Sequence, residues 1–138
     1  MPPGTRTPAR EAGAELLCLQ AWEQHAGWIV EHTAKWPKSA RFSLVQKVDN
    51  HALAVLELLV VARYEPKQRS AALREANLRL EQLRFLLRIA LQRRITTMAG
   101  FETALRGIDE LGRMVHGWRA TLAGREASGV GSQIGESV

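Results

Sequence analysis

The nitrogen and sulfur side chains able to ligate a metal, which can also carry a proton near neutral pH, are few: His25, His32, His51, His116 and Cys18. A tetrahedral metal site needs three or four such ligands converging on one point. His25 and His32 are seven residues apart, so they share one side of a helix but stand about two turns from each other. Their nitrogens are too distant for one ion, and no third ligand is spaced to join them. A di-metal site inside a helical bundle needs inward glutamates and Glu-x-x-His motifs on facing helices, and no Glu-x-x-His occurs. A single cysteine rules out an internal disulfide and a cysteine metal knuckle. Cys18 reads as a small packed residue suited to a reducing compartment.

His51 follows Asp49 and Asn50 in an otherwise apolar run. As a general base it would need a nucleophile and oxyanion donors, and none accompanies it. It reads instead as a hydrogen-bonded polar island at a helix contact. Gly100, Gly107, Gly112 and Gly117 are spread along one helical segment and form no phosphate-cradling nest; that spacing suits close helix packing. These patterns predict a protein that is not an enzyme and has no metal or cofactor.

Charge points elsewhere. Between Lys35 and Arg119 there are sixteen Lys and Arg against eight Asp and Glu, an excess of eight, with Arg dominating; the flanks are acidic. A compact domain with this excess suits an anionic partner, nucleic acid above all, although acidic proteins are also served by such a surface. The candidate binding set is Lys35, Lys38 and Arg41 in a junction between two helical patterns, and Arg74, Arg79, Arg84, Arg88, Arg93 and Arg94 on the third pattern. On a helical wheel Arg74, Arg84 and Arg88 fall within about 80° of each other, opposite the core face, with Glu81 among them. Arg93 and Arg94 also complement a helix C-terminus.

The elements that must position these residues are all helical. Leu16, Leu19, Trp22, Ala26, Ile29 and Val30 recur at three and four over Ala14–Thr33. Pro37 stops that helix and announces the next, expected over Lys38–Tyr64. That second helix carries two stripes, Phe42, Val45, Ala52, Leu56, Leu59 and Leu44, Val48, Val55, Leu58, Ala62. Its apolar second half calls for cover on more sides than one bundle supplies. After Glu65 and Pro66, a third helix over Lys67–Arg94 turns Leu73, Ala76, Leu80, Leu83, Leu87, Ala90 and Leu91 inward. Leu78, Phe85 and Ile89 lie on a different side, and such a line suits a contact between subunits. The fourth helix, Thr97–Arg119, buries Phe101, Ala104, Leu105, Ile108, Leu111, Val115 and Trp118, with Thr96 or Thr97 as cap. Short links between four such helices predict an all-α, antiparallel up-down four-helix bundle over residues 13–120. Residues 1–12, rich in Pro and Gly, are expected to be disordered, and residues 121–138 to form a flexible tail. The N-terminus has no apolar stretch of a secretory signal. The longest apolar run, Ala52–Ala62, is interrupted by Glu57 and falls short of the roughly 20 residues of a membrane span.

The junction Trp36-Pro37-Lys38-Ser39-Ala40-Arg41-Phe42 is followed by QKVDNHALAVLELLVVARY, LREANLRLEQLRFLLRIALQRRI and DELGRMVHGWRA. In this order the segments resemble the accessory variability determinant (Avd) family of diversity-generating retroelements, over about Trp28 to Arg119. They are similar, more distantly, to four-helix-bundle proteins encoded in 23S ribosomal RNA intervening sequences. The Avd resemblance implies a basic bundle assembled as a homopentameric barrel that binds the retroelement reverse transcriptase, template-repeat RNA and cDNA. Such a subunit supports adenine-directed mutagenic cDNA synthesis (mutagenic retrohoming) without an active site of its own, in the cytoplasm, encoded by a bacterium, an archaeon or a phage. The second similarity implies a structural bundle with no polymerase partner. The resemblance locates Lys38 and Arg41 in the shared junction and assigns none of the other arginines to RNA or polymerase.

Overall fold

A computed structural model describes the backbone of residues 9–137 and the side chains of residues 13–125. It contains four α-helices: α1 (Ala9–Thr33), α2 (Gln46–Tyr64), α3 (Arg69–Gln92) and α4 (Met98–Ser137). Among the described residues there is no strand. The main interfaces are α1–α2, α2–α3, α3–α4 and α4–α1, which close a ring around one core. This is the four-helix bundle expected. The disordered segment expected over 1–12 lies largely outside the described residues, as do the side chains of most of the expected tail. The helical backbone of α4 continues past Arg119 to Ser137. No proline interrupts that stretch.

The core follows the periodicity of each helix. Trp22, Ala26 and Ile29 from α1 meet Val48, Ala52, Val55, Leu59 and Ala62 from α2. Leu73, Ala76, Leu80, Leu83 and Leu87 from α3 and Ala104, Ile108, Leu111 and Val115 from α4 complete it. The α2 core line takes residues from both stripes, which leaves Leu53 and Val60 in solvent. Cys18, not Leu16, faces the core at the start of α1, and burial pushes its thiol pKa up to about 11. The Trp22 indole Nε1 donates to the Ala52 carbonyl at 2.8 Å, so the largest core side chain has its one polar atom satisfied.

Each link uses a different device. Arg69, opening α3, donates Nη2 to the Arg63 carbonyl at 3.0 Å and Nε to the Ala62 carbonyl. These are carbonyls that the end of α2 leaves without helical partners. Thr97 caps α4, its Oγ1 accepting from the Gly100 amide at 3.0 Å. Thr33 Oγ1 donates to Asp49 Oδ1 at 2.6 Å and ties the end of α1 to the start of α2.

The α1–α4 seam carries the most specific packing. Trp22, His25, Trp28, His32 and Trp36 form a ladder of rings along α1, with successive centroids 5.4, 5.6, 4.8 and 6.0 Å apart. His25 and His32 reach across the seam: Nε2 of His25 meets the Ala104 carbonyl of α4 at 3.0 Å, and Nε2 of His32 meets Thr96 Oγ1, in the turn before α4, at 2.8 Å. Because a carbonyl only accepts, Nε2 of His25 carries the proton. Each imidazole sits against a glycine, His25 on Gly107 and His32 on Gly100, and a Cβ at either glycine would overlap the ring. The two histidines and the two glycines share a spacing of seven, read in opposite chain directions. Gly117 has open space where a Cβ would be and has no such role.

Two outcomes follow from the seam. Gly107→Ala should destabilise the bundle by about 1–3 kcal/mol, the usual cost of overpacking. In chemical denaturation, the loss should be much smaller when His25 is already alanine, a coupling that a double-mutant cycle measures. The second outcome concerns pH. Burial lowers the pKa of His25, against the opposing pull of the Ala104 carbonyl and Glu110. Burial also lowers that of His32, helped by Lys35. Both folded-state values lie below the ordinary 6.5, so just below that pH the unfolded chain binds more protons than the folded one. Stability present above that pH is therefore lost as pH falls through 6.5 toward the folded-state values. Denaturant midpoints at about pH 7.5 and about pH 5.5 should differ more in the wild type than in a His25→Gln/His32→Gln variant.

Candidate functional site

Two stretches of the sequence hold cations and no carboxylate. Lys35, Lys38, Arg41 and Lys47 stand in the first, with no Asp or Glu between Glu31 and Asp49. Arg84, Arg88, Arg93 and Arg94 stand in the second, with none between Glu81 and Glu102. The antiparallel topology brings them together. His51 of α2 accepts from Arg79 Nη1 of α3 at 3.1 Å. Stepping back along α2 from His51 therefore steps forward along α3 from Arg79. The α1–α2 junction and the α3–α4 turn thus share one end of the bundle.

Local chemistry shapes each half of this end. Trp36 is buried under the corner, and Pro37, extended at φ −55° and ψ 144°, starts a short 3₁₀ turn over Lys38–Ala40. A π-helical turn, Arg41–Val45, then leads into α2 and buries none of its side chains. A π turn holds more residues than an α turn, so it rotates everything before it relative to the core line. Phe42, expected to pack inward at the head of the α2 stripe, is rotated out and is 84% exposed. Trp36 and Ala40 pin the corner, with Leu44 and Val45 partly buried against the core and Phe42 taking no part. The Trp36 Nε1 is buried without a hydrogen-bond partner among the described residues.

The α3–α4 turn closes α3 in a Schellman arrangement. The Ile95 amide donates to the Ala90 carbonyl at 2.8 Å and the Arg94 amide to the Leu91 carbonyl at 3.0 Å. The residue between must be left-handed, and glycine usually fills that place. Here it is Arg94, with φ 59°. A side chain there costs about 1 kcal/mol, and in this chain that strain holds an exposed guanidinium beside the junction end.

The expected binding residues separate into groups. Lys35, Lys38, Arg41, Arg93 and Arg94 are exposed and gathered at this end. Arg88 is exposed on the adjoining length of α3, its guanidinium 4.9 Å above the Phe85 ring. Arg84 is half-buried and bridges α3 to α4, donating Nε and Nη2 to Asp109 Oδ1 at 3.2 and 2.9 Å and pairing Nη1 with Glu81. Arg79 is held by His51 and, at 3.3 Å, by Glu75. Arg74 lies near the start of α3, toward the opposite end. Lys47 and Phe42 were absent from the expected set. The carboxylate-free run would have found the lysine, and nothing in the helical periodicity marks the phenylalanine.

On the outer face of α3, opposite its core line, Leu78, Phe85 and Ile89 are 51%, 60% and 42% exposed. Among the described residues no three His, Cys, Asp or Glu side chains gather as metal ligands, and no helix is long and apolar enough to cross a membrane. His51 is the polar contact between α2 and α3 that its neighbours suggested. Burial, then Arg79 and Lys47, lower its pKa.

The strain at Arg94 sets a test. Arg94→Gly should raise stability by about 0.5 kcal/mol, because relief of the left-handed conformation exceeds the lost interaction with the helix dipole. Denaturant unfolding reads the sign, and a loss of stability would mean that the arginine is held there by contacts of its own.

The sequence model of a family described as bAvd-like matches residues 16–122. No curated protein matches the chain. The match takes in the α1–α2 junction, α2, α3 and the α3–α4 turn with the first part of α4, and so all of the basic end. The chain belongs to the bAvd-like family.

Proposed function

We propose that this bAvd-like chain is the non-catalytic accessory subunit of a diversity-generating retroelement reverse transcriptase. It binds the polymerase and template-repeat RNA and supports mutagenic cDNA synthesis. The observation that carries this reading, beside family membership, is the basic end of the bundle. Two carboxylate-free runs converge there, and Lys35, Lys38, Arg41, Lys47, Arg93 and Arg94 are exposed on it. Such cations hold phosphates by displacing counterions, which gives affinity that is steep in salt and weak in sequence discrimination.

The subunit works as a homo-oligomer, a pentameric barrel in this reading, with the Leu78–Phe85–Ile89 line of α3 covered by a neighbouring copy. A barrel repeats the basic end once per subunit on a single RNA and raises the effective concentration of each contact.

Labelled template-repeat RNA titrated at low and at physiological salt should lose affinity steeply as salt rises. An affinity indifferent to salt would count against phosphate binding. Phe85→Asp should reduce the assembly to a smaller mass by light scattering while the helical content stays. An unchanged mass would remove the α3 line from the interface.

A further inference from the structure

Phe42 is the most exposed large apolar residue of the chain among those described, and its surroundings are cationic. Lys38 and Arg41 precede it, Lys47 follows one turn on, and Lys38–Lys47 contains no carboxylate. A shallow hollow beside it is lined by Ser43, Leu44, Gln46, Lys47 and Asn50, whose amides and hydroxyl can both donate and accept hydrogen bonds. The π turn sets Phe42 on the outward side of the junction, away from the α2 core line. Asp49, the nearest carboxylate in sequence, is engaged by Thr33.

An exposed aromatic flanked by exposed cations is the arrangement that takes single-stranded nucleic acid: a base stacks on the ring while the cations hold the phosphates on either side. Double-stranded RNA offers its backbone and 2′-hydroxyls but no free base face. We propose that the junction end is a site for unpaired nucleotides. One base stacks on Phe42, Lys38, Arg41 and Lys47 hold the adjoining phosphates, and Arg93 and Arg94 continue the cationic track across the end of the bundle. An apolar contact with a second copy or with the polymerase would not need three cations within five residues of the ring, and the charge favours the strand. The inference rests on the nucleic-acid part of the proposed function and narrows it from RNA in general to its unpaired segments.

The test compares the full chain with Phe42→Ala and Phe42→Trp, using fluorescence anisotropy on oligouridine of about 20 nucleotides, longer than such sites occupy. An RNA duplex of equal length is the second ligand. Phe42→Ala should weaken oligouridine binding about tenfold, in line with the loss of one stacked base, leave duplex binding unchanged, and keep the circular dichroism and assembly mass of the wild type. Phe42→Trp should restore single-strand affinity. Arg41→Gln should lower the salt slope for oligouridine. Oligouridine affinity indifferent to Phe42→Ala, an equal loss on the duplex, or a changed assembly mass would each overturn the site, and template-repeat RNA binding by the same variant would leave the broader function standing. No binding of either ligand or of template-repeat RNA to the wild type would sink both.

Discussion

The seating of two imidazoles against two glycines is the constraint on which the rest of this bundle depends. The α1–α4 interface joins the first and last helices, so no short link holds it and its register must come from side chains. His25 on Gly107 and His32 on Gly100 supply that register with contacts that admit no Cβ, and each adds a hydrogen bond across the seam. A slip of one residue along α4 would put a methyl or larger group where each ring sits. Fixing α4 fixes Thr96, whose hydroxyl is the partner of His32, and with it the turn that presents Arg94. The basic end is thus a consequence of a neutral, aromatic seam that contains none of its cations.

Stability and exposed charge are drawn from different residues. Arg69, Arg79 and Arg84 engage carbonyls, an imidazole and carboxylates within the bundle, and are part of what holds the helices in place. Lys35, Lys38, Arg41, Arg93 and Arg94 are exposed at one end. Like charges gathered there repel, and no core contact of their own repays that cost. The apolar line on α3 shows a similar split, since its three side chains are placed opposite the core and contribute little to the fold of the isolated chain.

Much of this was legible in the sequence, and the missing parts share a cause. Four helices, their order and most core residues follow from spacings of three and four. So does the outward line of Leu78, Phe85 and Ile89. The family junction was legible from Trp36 to Phe42. What escaped was whatever depends on a partner far along the chain. His25 and His32 looked like two isolated ring nitrogens, and the glycines like generic packing positions. Their shared spacing of seven acquires meaning only when α1 and α4 lie antiparallel. Arg84 looked like part of an outward binding row because Asp109 is on another helix. Phe42 was misplaced for a local reason: a periodicity argument assumes uniform α geometry, and the π turn breaks it without a proline or glycine to announce it. Arg94 bore a helix-end charge in either view, and only its backbone shows that it occupies a place where glycine is usual.

The π turn also sets how the two ends of α2 differ in motion. Within Arg41–Val45 only Leu44 and Val45 are partly buried against the core, whereas α2 beyond it is locked by Val48, Ala52, Val55, Leu59 and Ala62. Local opening free energy follows buried contact, so Arg41–Ser43 should open more readily than the length of α2 that follows. The corner that carries Phe42 can therefore adjust to what it meets while the imidazole seam, on the far side of α1, stays closed. Rigidity and compliance are divided between the two sides of α1, with the compliant part where the charge is.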